Sequence, residues 1–229
     1  MAELPVIYTV RLDLTEEVKE EFDQWAGTKH IDDLLGAGFL SAVRFRATRG
    51  EPEYLHLYEL PNVELLSTEK YKDVGRNDAT SSKLRHGVLN HSASLYEQVL
   101  TVNVPETPRT FPSPRTDSVG GVKSRHLATV RMDVGASDAD ELLRWHREEH
   151  FPRMTNIEGM VNARLCRRVA THPTTPCHDP EWVSIYELEN VDVVGHPKVR
   201  EANETDWAKT MQAKTSDVRF GVMERITPA

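Results

Sequence analysis

"TVRLDL" at residues 9–14 returns as "TVRMDV" at 129–134, 120 residues on. "PEYLHLYELPNV" (52–63) returns as "PEWVSIYELENV" (180–191), identical at seven of twelve positions but 128 residues on. One unit therefore occurs twice in the chain, with extra residues between these anchors in the second copy. Because Trp25/Trp145, His30/His150 and Arg44/Arg164 all keep the spacing of 120, the surplus is expected in "THPTTPCHD" (171–179), a Pro- and Thr-rich surface insertion.

Between the copies runs "NVPETPRTFPSPRTDSVGG" (103–121), whose four prolines and closing glycine pair read as an extended linker. The organisation expected is a first repeat over 1–102, a linker over 103–122 and a second repeat over 123–229. Each repeat has about the common size of one domain.

Both copies show one order of elements. "VIYTVRLDL" alternates as a strand, and from Thr15 a helical pattern places Val18, Phe22 and Trp25 on one face. "FLSAVRFRA" and "EYLHLYEL" are two more strands around the turn "TRGEP", "VELLSTEKYKDV" is a second helix, and "SASLYEQVL" is a fourth strand. This is β-α-β-β-α-β, the split ferredoxin-like motif, so the fold class expected is α+β. In the second copy Ser137 and Asp140 resemble a capping box. A four-stranded sheet with helices on one face needs cover on the other, which a second copy supplies as an internal pseudo-dimer.

Composition narrows the function. With 229 residues, 38% apolar and no apolar run near the roughly 20 residues of a membrane span, the chain is expected to be a soluble globular protein. "MAELPVIYTV" has neither the basic nor the apolar region of a secretory signal, which points to the cytoplasm. A net charge of −8 spread along the chain argues against nucleic acid and anionic membranes and favours a small-molecule substrate. Cys166 and Cys177 are expected as two ordinary thiols. A homodimer of tandem-repeat chains stays open.

The chemistry concentrates in "RWHREEHFPRM" (144–154). His146 and His150 could share a metal one helical turn apart, but the acidic residues stand third and fourth where zinc proteases have one second, and no third ligand follows. Acid–base chemistry asks only for an imidazole that exchanges protons near neutral pH. His150 recurs as His30, whereas Ala26 stands at the place of His146, which leaves His146 and Glu149 as helpers. Strand alternation sends Thr9, Arg11, Asp13 and Thr129, Arg131, Asp133 to the face away from the helices. The same reasoning assigns Tyr54, His56, Tyr58 and Trp182, Ser184, Tyr186 to that face, with Arg44 and Arg164 extending it. These polar residues either fill the space between two sheets with ion pairs or form a site in which arginine grips a carboxylate beside aromatic rings. Tyr71 is replaced by Val199, Trp207 has no partner, and Asn77 and Asn203 recur as turn residues after helix two. No Gly-rich phosphate loop and no G-x-S-x-G is present.

W-x4-H-x-P in "WHREEHFP", followed by "EGMVNARL" and "WVSIYELEN", resembles the EthD-like branch of the dimeric α+β barrel superfamily, and the resemblance spans nearly all of both halves. The first half keeps Trp25 and His30 but has Asp32 where Pro152 stands and Lys29 where Glu149 stands. The resemblance implies two facing sheets closed as an intramolecular α/β barrel, and a pocket between sheet and helices in each half that His150 faces from near the end of helix one. It implies no obligatory metal or organic cofactor. The function expected is a cofactor-independent enzyme acting on a small unsaturated or aromatic carboxylic or keto acid by isomerisation, hydrolysis or C–C cleavage. In it His150, aided by His146 and Glu149, moves the proton, with His30 as the counterpart. Arg131 and Arg164 hold the acid, Tyr186, Trp182 and Trp145 line the pocket, and Arg11, Arg44 and Tyr58 are the first-half equivalents. The alternatives are a non-catalytic small-molecule binder and a haem-dependent or monooxygenase-type member of the superfamily.

Overall fold

Nine residues of alternating burial open each half: β1 (Val6–Leu14) and, later, β5 (His126–Val134) share one burial pattern residue for residue. The computed structural model describes residues 4–76, 78–103, 122 and 124–227; Asn77 and nearly all of 103–122 lie outside the described residues. After β1 come α1 (Glu16–Trp25), a π-turn (Ala26–His30) and α2 (Ile31–Ala37), then β2 (Ser41–Gly50) and β3 (Tyr54–Leu60). A 3₁₀ turn leads into α3 (Glu69–Arg76), followed by a further short helix α4 (Ala79–Leu84) and a long β4 (Val88–Asn103). The second half repeats the series as β5, α5 (Ala139–Trp145), a π-turn (His146–His150), α6 (Phe151–Thr155), β6 (Met160–Thr171), β7 (Trp182–Leu188), α7 (Pro197–Asn203), α8 (Asp206–Lys214) and β8 (Thr215–Thr227).

The eight strands close into one antiparallel barrel in the order β1-β3-β2-β8-β5-β7-β6-β4. Read by halves, the orders are β4-β1-β3-β2 and β8-β5-β7-β6, and the joints are β2 with β8 and β4 with β6. Closure leaves no strand edge unpaired, which removes the usual route to edge-to-edge aggregation. Ile7, Val43, Phe45, Leu57, Leu127, Val183, Ile185 and Met223 pack inside the barrel. The helices cover the outside through further apolar clusters.

β3 and β7 are buried along their entire length, with the barrel core on one side and helices on the other. A strand covered on both faces has no polarity rule to orient it, and here the expected orientation reverses. Arg11 pairs with Leu55 and Val10 with His56, so Leu55 and Leu57 look into the barrel while Tyr54, His56 and Tyr58 look toward the helices. Likewise Arg131 pairs with Val183 and Val130 with Ser184, which turns Trp182, Ser184 and Tyr186 outward.

The repeat alignment also changes. Gly38 ends α2 in left-handed backbone at φ 111°, and its counterpart is Gly159 at φ 83°, 121 residues on. One extra residue thus precedes Gly159, and residues 172–178 are the remaining insertion. Arg46 and Arg167 are then the true equivalents, each guanidinium lying over the ring of Tyr54 or Trp182 at 5.2 and 5.3 Å. Arg44 corresponds to Leu165, and Arg164 to Val43.

Two local expectations need correction. The start of α5 is a 3₁₀ turn over Ala136–Asp138, and no side chain caps the helix, so Ser137 and Asp140 form no capping box. Asn203 is the last residue of α7 rather than a turn residue, and its amide donates to the Val199 carbonyl at 2.7 Å.

Candidate functional site

Residues five apart sit roughly 140° apart around an ideal α-helix, so Trp-x4-His would not bring its rings together. The π-turns at Ala26–His30 and His146–His150 widen the helix at that point, and the rings stack. Trp25 and His30 have centroids 4.5 Å apart, and Trp145 and His150 4.4 Å apart, both at 28°. The spacing is therefore the signature of a π-turn, a feature enriched at functional sites.

In the second half, His146 and His150 are both buried between helix and sheet. His146 Nδ1 lies 2.9 Å from the Leu142 carbonyl and Nε2 3.0 Å from Ser184 Oγ. Since a carbonyl only accepts, Nδ1 carries the hydrogen and the Ser184 hydroxyl donates to Nε2. Burial lowers the His146 imidazole to about 4, so it is neutral at pH 7. His150 Nε2 meets the Tyr186 hydroxyl at 2.8 Å, and its Nδ1 is buried beside the Ala202 backbone. Burial first, and His146 second, hold His150 well below 6.5. Phe151 and Tyr186 complete an aromatic box around the two imidazoles.

Glu149 turns away from this pair. Its carboxylate accepts from Thr205 Oγ at 2.6 Å, and Thr205 caps α8, so Glu149 ties the π-turn to the covering helices. Trp182 lies beneath Arg167 with a buried, unpartnered Nε1. Trp207 carries Arg144 at 5.2 Å from its ring.

The first half redistributes the same groups. Ala26 replaces His146, and His56 on β3 stands where Ser184 does, so each half keeps two imidazoles, with His56 buried and His30 half-buried. Arg44 donates to His56 Nε2 at 3.1 Å, which leaves the hydrogen on Nδ1, 3.2 Å from the Tyr58 hydroxyl. Arg44 also grips the Asp23 side chain and its carbonyl, the latter at 3.1 Å. Asp23 carried no expectation, because nothing repeats at its place. Burial lowers His30 to about 4 and takes His56 well below 6.5.

The arginines expected to serve His150 are on the other side of the sheet. Arg11, Arg131 and Arg164 point into the barrel, because their strand partners there are Leu55, Val183 and Ile185. Arg164 is fully buried in a pair with Glu187, with Gln98 accepting at 3.2 Å. Arg131 donates to Asp179 at 3.1 Å, not to the neighbouring Asp133, and Arg11 pairs with the same Asp179 carboxylate. Asp133 instead accepts the Glu181 amide at 2.6 Å, as Asp13 accepts that of Glu53 at 2.9 Å. Asp179 was the site residue missed, although the offset of 128 matches it with Glu51.

Among the described residues, no three His, Cys, Asp or Glu side chains are placed to share a metal ion. Likewise, no helix there is long and apolar enough to cross a membrane. Haem does not fit the second-half arrangement: Leu142, Phe151, Leu165, Ala208 and Met211 are fully buried there, and His150 Nε2 is turned to Tyr186.

No family model and no curated protein matches the sequence. Solved structures do match along nearly the whole chain. An anthrone oxidase-like protein superposes with a TM-score of 0.62 at 11% identity, over 98% of this chain and 92% of that one. A monooxygenase candidate from Fusobacterium nucleatum gives 0.59 at 10%, over 99% and 94%. A haem-binding protein from Thermus thermophilus gives 0.54 at 15%, over 98% and 92%. At these identities the likeness is one of fold alone, that of a closed eight-stranded antiparallel barrel with helices outside it.

Proposed function

We propose that the protein is an enzyme of the cofactor-independent oxidase or monooxygenase type, in which His150 takes a proton from an aromatic or enolisable substrate. The observation that carries this reading is the buried, neutral His150, set on a π-turn, stacked on Trp145 and bonded to Tyr186 Oη at 2.8 Å. A neutral imidazole accepts a proton at pH 7, and the phenol beside it can relay or stabilise charge. His146 and Ser184 extend the relay. The arginines expected to hold a carboxylate, Arg131 and Arg164, lie on the other side of the second-half sheet, and Arg167 on this side lies over Trp182 and pairs with Glu181. The substrate is therefore read as a phenol, enol or ketone rather than the carboxylic acid the sequence suggested.

For an activated ring methylene the overall change is R₂CH₂ + O₂ → R₂C=O + H₂O. His150 removes one proton, dioxygen adds to the carbanion, the returned proton gives a hydroperoxide, and loss of water leaves the ketone. Isomerisation or cleavage would share the first step. Ala202 of α7 and Ala208 and Met211 of α8 close over the site.

The fold likeness to an anthrone oxidase-like protein supports this class over the hydrolase and lyase readings. The EthD-like assignment rests on the Trp-x4-His-x-Pro motif. The two halves, 1–102 and 123–229 around the linker 103–122, are read as a tandem duplication of a ferredoxin-like unit, in the cytoplasm, with a homodimer of such chains open.

Dioxygen uptake across a panel of hydroxylated polycyclic ketones tests the proposal. His150→Ala is expected to lower the rate on the order of 10²-fold or more, and a panel without any uptake or turnover overturns it. A Soret band on titration with haem would likewise overturn the cofactor-independent reading.

A further inference from the structure

Asp179 follows a segment, 171–178, whose residues are exposed or half-buried, yet its own carboxylate is buried inside the barrel. There Arg11 and Arg131, repeat equivalents from opposite halves, both bond to Oδ1, and Ser92 and Ser94 donate to Oδ2 at 2.7 and 2.9 Å. Beside it lies a cavity of about 10 Å³ lined by Thr9, Arg11, Tyr96, Thr129 and Arg131 among others. That is the room of about one water. Thr129 Oγ is buried in the same region with no hydrogen-bond partner.

Glu51, the repeat equivalent of Asp179, stays at the rim with its carboxylate half exposed and 3.7 Å from Arg131. The asymmetry follows from the inserted residues 172–178, which swing the second-half acid inward. Two guanidiniums, two hydroxyls and a spare hydroxyl around one carboxylate form a recognition set for an organic acid. At the barrel mouth Arg219 on β8 pairs across the ladder with Arg131, its guanidinium held by the exposed Asp217 carboxylate at 2.7 Å and 3.9 Å from Glu51, so a ligand's second carboxylate would replace Asp217 there.

We propose that the Arg11–Arg131 pair is a binding site for small dicarboxylates, that Asp179 occupies it as a tethered ligand, and that the 171–180 segment is displaced when a free dicarboxylate binds. One ligand carboxylate takes the place of Asp179 on Arg11 and Arg131, and the second reaches Arg219. The segment is held by Pro176 O accepting from Ala93 at 3.0 Å, the His178 amide donating to Ser92 at 2.8 Å, the His178 and Pro180 carbonyls accepting from Arg11 at 3.2 Å and Tyr96 Oη at 3.1 Å, and His172 against Tyr71 at 3.0 Å. A free dicarboxylate therefore displaces it by competing for Arg11, Arg131, Ser92 and Ser94.

Cys177 reports the displacement. It is half-buried in the segment, 3.1 Å from Ser94 Oγ, whereas the other thiol, Cys166, is fully buried in the barrel. The rate at which a thiol-specific disulfide reagent modifies Cys177 in the intact protein is measured against malonate concentration, with chloride at matched ionic strength and acetate as comparisons. Malonate is expected to raise the rate saturably, by about tenfold, and chloride to leave it unchanged. Asp179→Ala, or Asp179→Asn if the first folds poorly, is expected to modify fast without ligand and to gain melting temperature on adding malonate. Arg11→Gln and Arg131→Met are expected to abolish the malonate response. A wild-type rate that malonate raises no more than chloride does, or an Asp179 variant that malonate does not stabilise, overturns the proposal.

Discussion

Tyr58 and Tyr186 hold the same place on β3 and β7 yet bond to different imidazoles: Tyr58 to His56 on its own strand at 3.2 Å, Tyr186 to His150 on the helix at 2.8 Å. Tyr186→Phe strips His150 Nε2 of that bond and is expected to cost about 1–3 kcal/mol, read by urea unfolding. Tyr58→Phe orphans the His56 Nδ1 hydrogen at a similar cost. Turnover separates the two, because it falls with the Tyr186 variant and stays within about twofold with the Tyr58 variant. Equal losses of rate would remove His150 from the centre of the chemistry.

Acid is expected to unfold the protein early. His30 and His146 titrate at about 4, and His56 and His150 well below 6.5, all through burial. The unfolded chain therefore binds these protons first, so stability is full above about 6.5 and falls as the pH drops from there toward 4. Each imidazole contributes a slope of up to about 1.4 kcal/mol per pH unit. His146→Gln should flatten the fall of melting temperature across this window, and an unchanged slope counts against a neutral buried His146.

Glu187→Gln leaves the fully buried Arg164 without its carboxylate and is expected to cost about 3–5 kcal/mol in chemical denaturation. Adding Arg164→Val, which copies Val43 at the equivalent place, should recover part of the loss. Glu59 at the place of Glu187 already lives beside a valine, with the Val122 amide donating to it at 2.6 Å.

Glycine substitutions are expected to go in opposite directions. Gly50 has φ 79°, and a Cβ there would lie 2.1 Å from the Phe220 carbonyl oxygen, so Gly50→Ala should exceed the roughly 1–2 kcal/mol of left-handed strain alone. Gly36, inside α2 with nothing within 4 Å of a Cβ, should stabilise by about 0.5–1 kcal/mol as alanine. Calorimetry of both variants decides.

The phase of β1 and β5 was legible because those strands alternate sharply and recur, whereas the barrel was expected from the motif resemblance. The orientation of β3 and β7 was not, since burial on both faces erases the polarity that distinguishes inside from outside. That reversal moved Tyr186 to His150 and separated both from Arg131. The pairing of Arg44 with Arg164 failed for another reason: a single extra residue before Gly159 keeps the sequence match but shifts the strand by one, which turns every side chain over. The link between Trp145 and His150 was visible only as a spacing, whose meaning required the π-turn.

In an assembly of two identical chains, any change on the dyad axis is made twice and must suit itself. With both halves in one chain, the barrel is free of that constraint. Asp179 sits between Arg11 and Arg131, where a symmetry mate of the same segment would collide with it, and Arg164 is buried where its counterpart is Val43. On the proposed reading of the halves as a tandem duplication, covalent linkage is what makes a lone occupant between Arg11 and Arg131 admissible, and it allows one half to specialise while the other keeps the barrel closed.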